Sequence, residues 1–451
     1  MKTPLANPVA LEIEKLVYGG DGLARLPAPE PAAVSAADDA GDPATDPSPT
    51  KAPRRKAVFV PFTLPGERVR AVLESNAKGF ARARVLHLEQ PSPHRVAPGC
   101  EYFERCGGCH LQHADAAYQL EIKEAVLRET LLRTGGVNWD REIVHHASPP
   151  WGYRNRSRLR LLSGGPGQPA KLGYFAHASH QLVEISHCPI SSPRINQAIA
   201  LLRGLADVPP TCREVEIFTD AADDQLLLEF GFERVQEAEA RFAVAAARAV
   251  PGCVSVAVVS PSEREVVWGD GFLEYAVAGE RWRVSHGSFF QANRHLIAEL
   301  IEVVTAGQTG TAAVDLYSGV GLFTLPLATP FTELDAVEGN PEAAADLSSN
   351  AVAHAGVRVH NMSALSYMQQ RTGGINLLVC DPPRNGLGAP LVEAIRAARP
   401  ERIHLVACDP ATLGRDLKLL LPGLYTVEEV HLFDLFPQTY HLETVVKLRR
   451  E

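Results

Sequence analysis

Residues 312–328 read AAVDLYSGVGLFTLPLA: an apolar run stops at a turn carrying Gly319 and Gly321 and gives way to a helical pattern. Three more apolar runs follow, LDAVEG from 334, NLLVCDPP from 376 and IHLVACDP from 403, separated by stretches of helical periodicity. Runs that are apolar on both faces must be covered on both faces, and a helix between consecutive strands brings the chain back to lay the next strand parallel to the last. The alternation therefore restricts the chain from about residue 273 onward to an α/β fold of the doubly wound, Rossmann-like kind. Such folds bind ligands at the carboxyl ends of their strands.

The first turn narrows the ligand. Glycine lets backbone amides approach a ligand closely at a helix N-terminus. A dinucleotide fingerprint would place a third glycine three residues after Gly321, where Thr324 stands, so hydride chemistry is disfavoured. Asp315 precedes the turn, and Glu338 closes the next strand nineteen residues beyond Gly319, where a carboxylate can accept from both hydroxyls of a ribose. That is the arrangement of S-adenosylmethionine (SAM) sites; a purely structural α/β turn is the alternative. Asp381 ends a later strand, ahead of two prolines that stiffen a loop over the same crevice. Cys408 ends the strand after that, just before a helix that Pro410 can open. A cysteine there is expected to be partly exposed, with its pKa lowered by the helix N-terminus, and so to act as a nucleophile rather than as core filler. Cys380, Cys212 and Cys253 are read as filler.

Upstream the pattern changes. Between Val9 and Leu88, LEIEKLVYGGDGLARL and AVFVPFTLPGERVRAVLE are short alternating runs punctuated by glycine and proline turns, which predicts a small β-barrel over residues 1–89. Residues 27–56 interrupt it with Pro, Ala, Asp and Ser and almost no large apolar side chains, and are expected to be disordered. Residues 90–272 read as a central α+β domain with a helix near 114–134. It contains CEYFERCGGCHLQH, which places Cys100, Cys106 and Cys109 within ten residues of a chain that has eight cysteines. No run of eighteen apolar residues and no basic-then-apolar leader appears, so a cytoplasmic protein with no membrane partner is expected. In a reducing compartment clustered thiols argue for metal or catalysis rather than disulfides, and their spacing alone leaves zinc and an iron-sulfur cluster both open.

The net charge of −9 speaks against a simple polyanion binder, but it averages over a basic patch. YRNRSRLR sets Arg154, Arg156, Arg158 and Arg160 at period two, on one face of a strand, within a stretch from Trp151 to Leu182 that has no acidic residue. Four arginines without carboxylate partners repel one another unless an anion is present, so contact with RNA phosphates is expected; a charge-guarded edge strand is the plainer reading.

Together CGGCHLQH, DLYSGVGLFTLPLA, DPPRNG, ACDPATLGRDL and DLFPQTYHLETVVKL resemble the RNA (uracil-C5)-methyltransferase family, in particular its iron-sulfur members with an N-terminal TRAM barrel. The likeness covers nearly the whole chain outside 27–56. It implies SAM-dependent methylation of carbon 5 of a uridine in RNA by a monomer, with 23S rRNA the expected substrate and tRNA the alternative. It implies SAM contacts by Gln291 of FFQAN, Tyr317, Glu338, Asn361 and Asp381, alongside Gly319 and Gly321 of the turn. It makes Cys408 the nucleophile and Glu443, in the final H-x-E, a proton acceptor of ordinary basicity. It also implies a 4Fe-4S cluster on Cys100, Cys106, Cys109 and Cys188, the last supplied by ISHCPI. The chain departs from the family where the commoner S-C-N-P is A-C-D-P, and at Leu322, where a polar residue is common. Two rivals differ in what they need. An amino-group methyltransferase would carry an aromatic residue in place of Arg384 and no essential cysteine; a non-catalytic iron-sulfur RNA-binding protein would need neither Cys408 nor Glu443.

Overall fold

The computed structural model describes residues 5–26 and 55–451, so the disorder expected for 27–56 lies outside the described residues except at Arg55 and Lys56. The chain forms two compact units, Met1–Ala97 with His113–Asp115, and Pro98–Gln112 with Ala116–Glu451. These are not the divisions expected at 89/90 and 272/273. The first unit runs on because Arg95 pairs bidentately with the buried Glu67, at 2.6 and 2.8 Å, and bridges to Ala114. Within the second unit the strand Val144–Ala147, far upstream, pairs in parallel with Tyr425–Asp434 at the edge of the C-terminal sheet, across the boundary expected at 272/273.

In the first unit six strands form a mixed sheet whose two end strands, Leu5–Glu12 and Lys15–Leu16, are consecutive in the chain. Only Ile13 and Glu14 separate them, so the sheet must curl on itself. The Ile13 amide donates to Glu67 O at 2.9 Å and the Glu14 amide to Leu23 O at 2.8 Å. Leu11, Ile13, Val58, Val60, Val69 and Ala81 fill the interior of the curl.

The second unit holds two large sheets. The upstream one has seven strands, with Arg156–Leu162 between Lys171–Phe175 and Cys212–Thr219, and is covered by helices Pro193–Arg203 and Glu237–Ala249. Cys212 is fully buried in its core. The helix expected near 114–134 runs from Ala116 to Thr130 and closes in a wider turn over Leu131–Gly135.

The downstream sheet has eight strands in the order 357–361, 331–338, 310–316, 377–380, 402–407, 443–450, 425–434 and 144–147. The first five are parallel, and Glu443–Arg450 enters antiparallel between Arg402–Ala407 and Tyr425–Asp434. Successive residues feed opposite faces, as the period of a strand requires. Val314, Leu316, Leu378 and Cys380 pack toward the helices Ala364–Gln370, Ala389–Ala398 and Pro410–Leu420. Ala313, Leu377 and Val379 pack the other way, toward Ile297–Thr305. Strand order reverses between Gly310–Leu316 and Leu377–Cys380, which opens a crevice at their carboxyl ends.

Candidate active site

The glycine turn sits at that reversal. Tyr317 has φ 61°, Gly319 φ 55° and Gly321 φ 95°, three left-handed residues within five. A Cβ on Gly321 would lie 2.7 Å from Leu347 Cδ1, so close packing as well as φ excludes a larger residue there. Glu338 reaches back over the turn: its carboxylate accepts from the Gly319 amide at 2.8 Å and the Asn340 amide at 2.6 Å. The Asn361 side-chain amide donates to the Glu338 carbonyl at 2.9 Å. Thr324, the residue that breaks the dinucleotide fingerprint, donates through Oγ1 to Asp315 Oδ2 at 2.6 Å, a role that its place in the sequence did not disclose.

Asp315 has no exposed surface and one oxygen without a partner. Burial first, and then the Asp381 carboxylate, push its carboxyl up to about 7 against the hydrogen bond from Thr324. The folded protein thus holds a proton that the unfolded chain releases near pH 4, so this group's stabilisation is complete below that pH and is lost as pH rises toward 7. Asp315→Asn removes the dependence. The unfolding free energy of the wild type relative to this variant should fall by on the order of 3 kcal/mol between pH 4 and 7 and stay level above; a flat difference in denaturant titrations would contradict the assignment.

Around Asp381 the remaining reactive groups converge. Gln291 Nε2 donates to Asp381 Oδ2 at 3.4 Å. Glu443, at the start of the antiparallel strand, is buried with an unpartnered Oε1. Burial and then Asp381 hold its carboxyl well above the usual range, with Arg384 opposing, so it is not the ordinary base expected. Cys408 lies half-buried between Arg402–Ala407 and Pro410–Leu420, where expected. Its thiol, however, is pushed up to about 12 by burial, Glu443 and Asp381, opposite to the lowering expected from the helix N-terminus. Asp409 accepts from the Ala411 and Thr412 amides at 2.9 and 3.0 Å and so caps the helix that follows. Burial thus favours the neutral forms of the thiol and the carboxyls, and added positive charge in the crevice would favour their ionised forms.

The segment leading to Glu443 is held from far upstream. Asn293 Nδ2 donates to Leu435 O at 3.1 Å, Lys123 Nζ to Phe436 O at 3.0 Å and Tyr153 OH to Pro437 O at 3.0 Å. The amides of His110 and Leu111 both donate to Gln438 O at 2.9 Å. Gln438, at φ 70°, also donates through its backbone amide to Gln119 Oε1 at 2.9 Å, and Gln119 Nε2 donates to Gln438 Oε1 at 3.0 Å. Four successive carbonyls are thus claimed by residues 110–293, including the loop that carries the cysteines.

Residues 115–451 match the family described as tRNA (uracil-5-)-methyltransferase. The chain belongs to that family. The chain is similar to the 23S rRNA (uracil(1939)-C(5))-methyltransferase RlmD of Chromohalobacter salexigens, with 31% identity over 99% of this chain and 90% of that one. It is equally similar, at 31% over 88% and 92%, to the same enzyme of Alkalilimnicola ehrlichii. A solved structure, the Pyrococcus abyssi tRNA (uracil-54, C5)-methyltransferase in complex with S-adenosyl-L-homocysteine, covers 97% of this chain and 100% of its own with a TM-score of 0.70 and 23% identity, which shows a common fold.

In this uracil-5-methyltransferase the four cysteines singled out by sequence are brought together: Cys100, Cys106 and Cys109 each feel the charge of Cys188. Among the described residues no three His, Cys, Asp or Glu side chains close into a metal-binding geometry. Several polar groups nevertheless face these sulfurs and oppose the effect of burial on them. Backbone amides of Tyr102 and Gly108 point at Cys100 and Cys106, and Gln112 reaches Cys100 and Cys109. Arg154 has a buried Nε without a partner and interacts with Cys109 and Cys188. Burial pushes the free Cys106 thiol up to about 11 and Cys109 to about 12.

The arginine strand needs correction. Arg156, Arg158 and Arg160 share a face, but they do have carboxylate partners: Glu216 lies opposite Arg158 and Glu214 opposite Arg160 on the neighbouring strand, at 2.7 and 2.9 Å. Arg156 pairs with Glu216 at 3.3 Å and donates to Ser288 O at 2.9 Å. The signal was in EVEIFTD, whose glutamates alternate at the same period of two. Arg158, with its side chain 58% exposed, is the member most open to an anion.

Proposed function

We propose that this chain transfers the methyl group of SAM to carbon 5 of a uridine in 23S rRNA, through a covalent bond between Cys408 and carbon 6 of the uracil. One observation carries the reading: a half-buried thiol, Cys408, follows one parallel strand and lies close enough to two carboxyls, Glu443 and Asp381, for both to add to the effect of burial on it. Carbon 5 of uracil is too weak a nucleophile to take a methyl group unaided. Once deprotonated, the Cys408 sulfur adds to carbon 6, the electron pair moves through carbon 5 toward the carbon-4 carbonyl oxygen, and carbon 5 becomes nucleophilic. SAM would supply an electrophilic methyl on a cationic sulfur, held by Gln291, Tyr317, Gly319, Gly321, Glu338, Asn361 and Asp381. After transfer carbon 5 bears both methyl and hydrogen. Glu443, in its carboxylate form, takes that hydrogen as a proton, the carbon–hydrogen electron pair re-forms the 5,6 double bond and the Cys408 thiolate leaves. A carboxyl of raised pKa is well matched to proton transfer near neutrality. The uridine must leave its stack to enter.

The rRNA reading is favoured by the 31%-identical relatives of nearly full length; the family's own description favours tRNA. Mapping 5-methyluridine in both RNA classes from a strain lacking the gene decides: loss at one 23S position is expected, and loss confined to tRNA would overturn it. Cys100, Cys106, Cys109 and Cys188 are proposed to hold one 4Fe-4S cluster, with Arg154 offsetting its negative charge and Arg158 left to contact phosphate. Anaerobically purified protein should be brown, with about four irons per chain; stoichiometric zinc without iron would sink this. Among the described residues no helix is long and apolar enough to cross a membrane, and we read the protein as a monomer acting in the cytoplasm.

A further inference from the structure

Outside the groups used above, a row of rings runs from the cysteine turn to the proton acceptor. His177 and His110 have centroids 5.7 Å apart, His110 and Tyr440 4.7 Å, and Tyr440 and His441 4.1 Å, two residues before Glu443. Phe436 lies 5.9 Å from His441. The contacts are edge-on or tilted, at 43–71°, so each pair occupies at most one face of a ring. All four of His177, His110, Tyr440 and His441 are partly exposed. At the upstream end a hollow of about 500 Å³ opens beside Gly107 and Gly108, with Phe175 and His180 in its wall at a centroid distance of 5.3 Å. Arg160 lies 5.1 Å over the Phe175 ring.

We propose that this row is a stacking track for unstacked nucleotides of the substrate RNA that flank the target uridine, with the hollow as the seat of the outermost base. The inference rests on the uridine-methylating reading and adds to it where the rest of the strand lies. Bases have π-faces of every sequence, so a row of rings grips a single strand without reading it. Burial and then Arg384 hold the His441 imidazole down to about 3, so this ring offers a face rather than a charge. A cation stands beside it, since the Arg384 charge acts on His441. His110 also keeps a buried Nδ1 with no partner. The track's backbone is fixed independently of its rings, because the His110 amide donates to Gln438 O and the His177 amide to Arg105 O at 3.1 Å.

The test pairs ring deletion with base deletion. An RNA hairpin carrying the target uridine in its loop is titrated against the full chain by fluorescence anisotropy, with abasic sites placed singly at each neighbouring position. One or two abasic positions should weaken wild-type binding about tenfold, as loss of one base–aromatic stack does. His177→Ala should weaken intact RNA by a similar factor and show no further loss with the abasic RNA at its own position, while His177→Tyr should restore binding. Tyr440→Ala should be blind to a different position. If every ring variant and every abasic site lose affinity independently, or if no abasic site matters to the wild type, the track is refuted. Single-turnover methylation of intact RNA by the wild type separates this from the underlying reading. Methylation with a refuted track sinks only the track, and no 5-methyluridine in any RNA sinks the function.

Discussion

Glu443→Gln should accumulate methylated RNA joined to Cys408, whereas Cys408→Ala should form neither adduct nor 5-methyluridine. The order of steps demands the contrast. Sulfur addition and methyl transfer precede proton removal, and the adduct can leave only by losing the carbon-5 proton. A general base contributes roughly 100- to 10,000-fold to such a step, and turnover of Glu443→Gln should fall within that range. The substitution is also mild in the fold, since burial and then Asp381 favour the neutral carboxyl at this position, and glutamine is nearly its isostere. The adduct should run slowly on a denaturing gel, carry label from methyl-labelled SAM, and vanish in the double variant Cys408→Ala, Glu443→Gln. Undiminished turnover with no trapped RNA would remove Glu443 from the role and make Asp381 the next carboxylate to test.

Lys123→Met should cost about 3–5 kcal/mol of stability, the range for breaking a buried ion pair by removing one partner. Lys123 is 1% exposed, 2.6 Å from Asp434 Oδ1 and 3.0 Å from Phe436 O. Without it the buried Asp434 carboxylate is uncompensated and one of the four held carbonyls is released. Lys123→Met with Asp434→Leu should recover most of the loss, because the penalty lies in the orphaned charge more than in the missing attraction. Denaturant titration of the two single variants and the double measures this directly. A single-variant cost below about 1 kcal/mol would mean that the pair is not closed as described.

Local pattern in the chain determined the elements and most of the chemistry. The apolar runs before Tyr317, Asp381 and Cys408 are strands because they are buried on both faces, and the glycine turn is legible because only glycine suits the packing at Gly321. Cys408 and Glu443 could be named, from a strand end and a resemblance, without any distance. What they do to each other could not, because ionisation in a crevice depends on every charge that folding brings within reach. The thiol was expected to be acidified by its helix; burial raises it instead, and two carboxyls, 35 residues after the cysteine and 27 before it, add to the rise. The arginine strand was misjudged for the same reason: its partners sit more than fifty residues downstream and meet it only across a sheet. The pairing across the boundary expected at 272/273 likewise involves one strand, Val144–Ala147, that its own sequence gave no cause to assign to a sheet built almost 300 residues later. Periodicity and turn residues report on neighbours along the chain; tertiary structure alone decides which carbonyl meets Lys123, which carboxylate meets Cys408 and which rings line up beside Glu443.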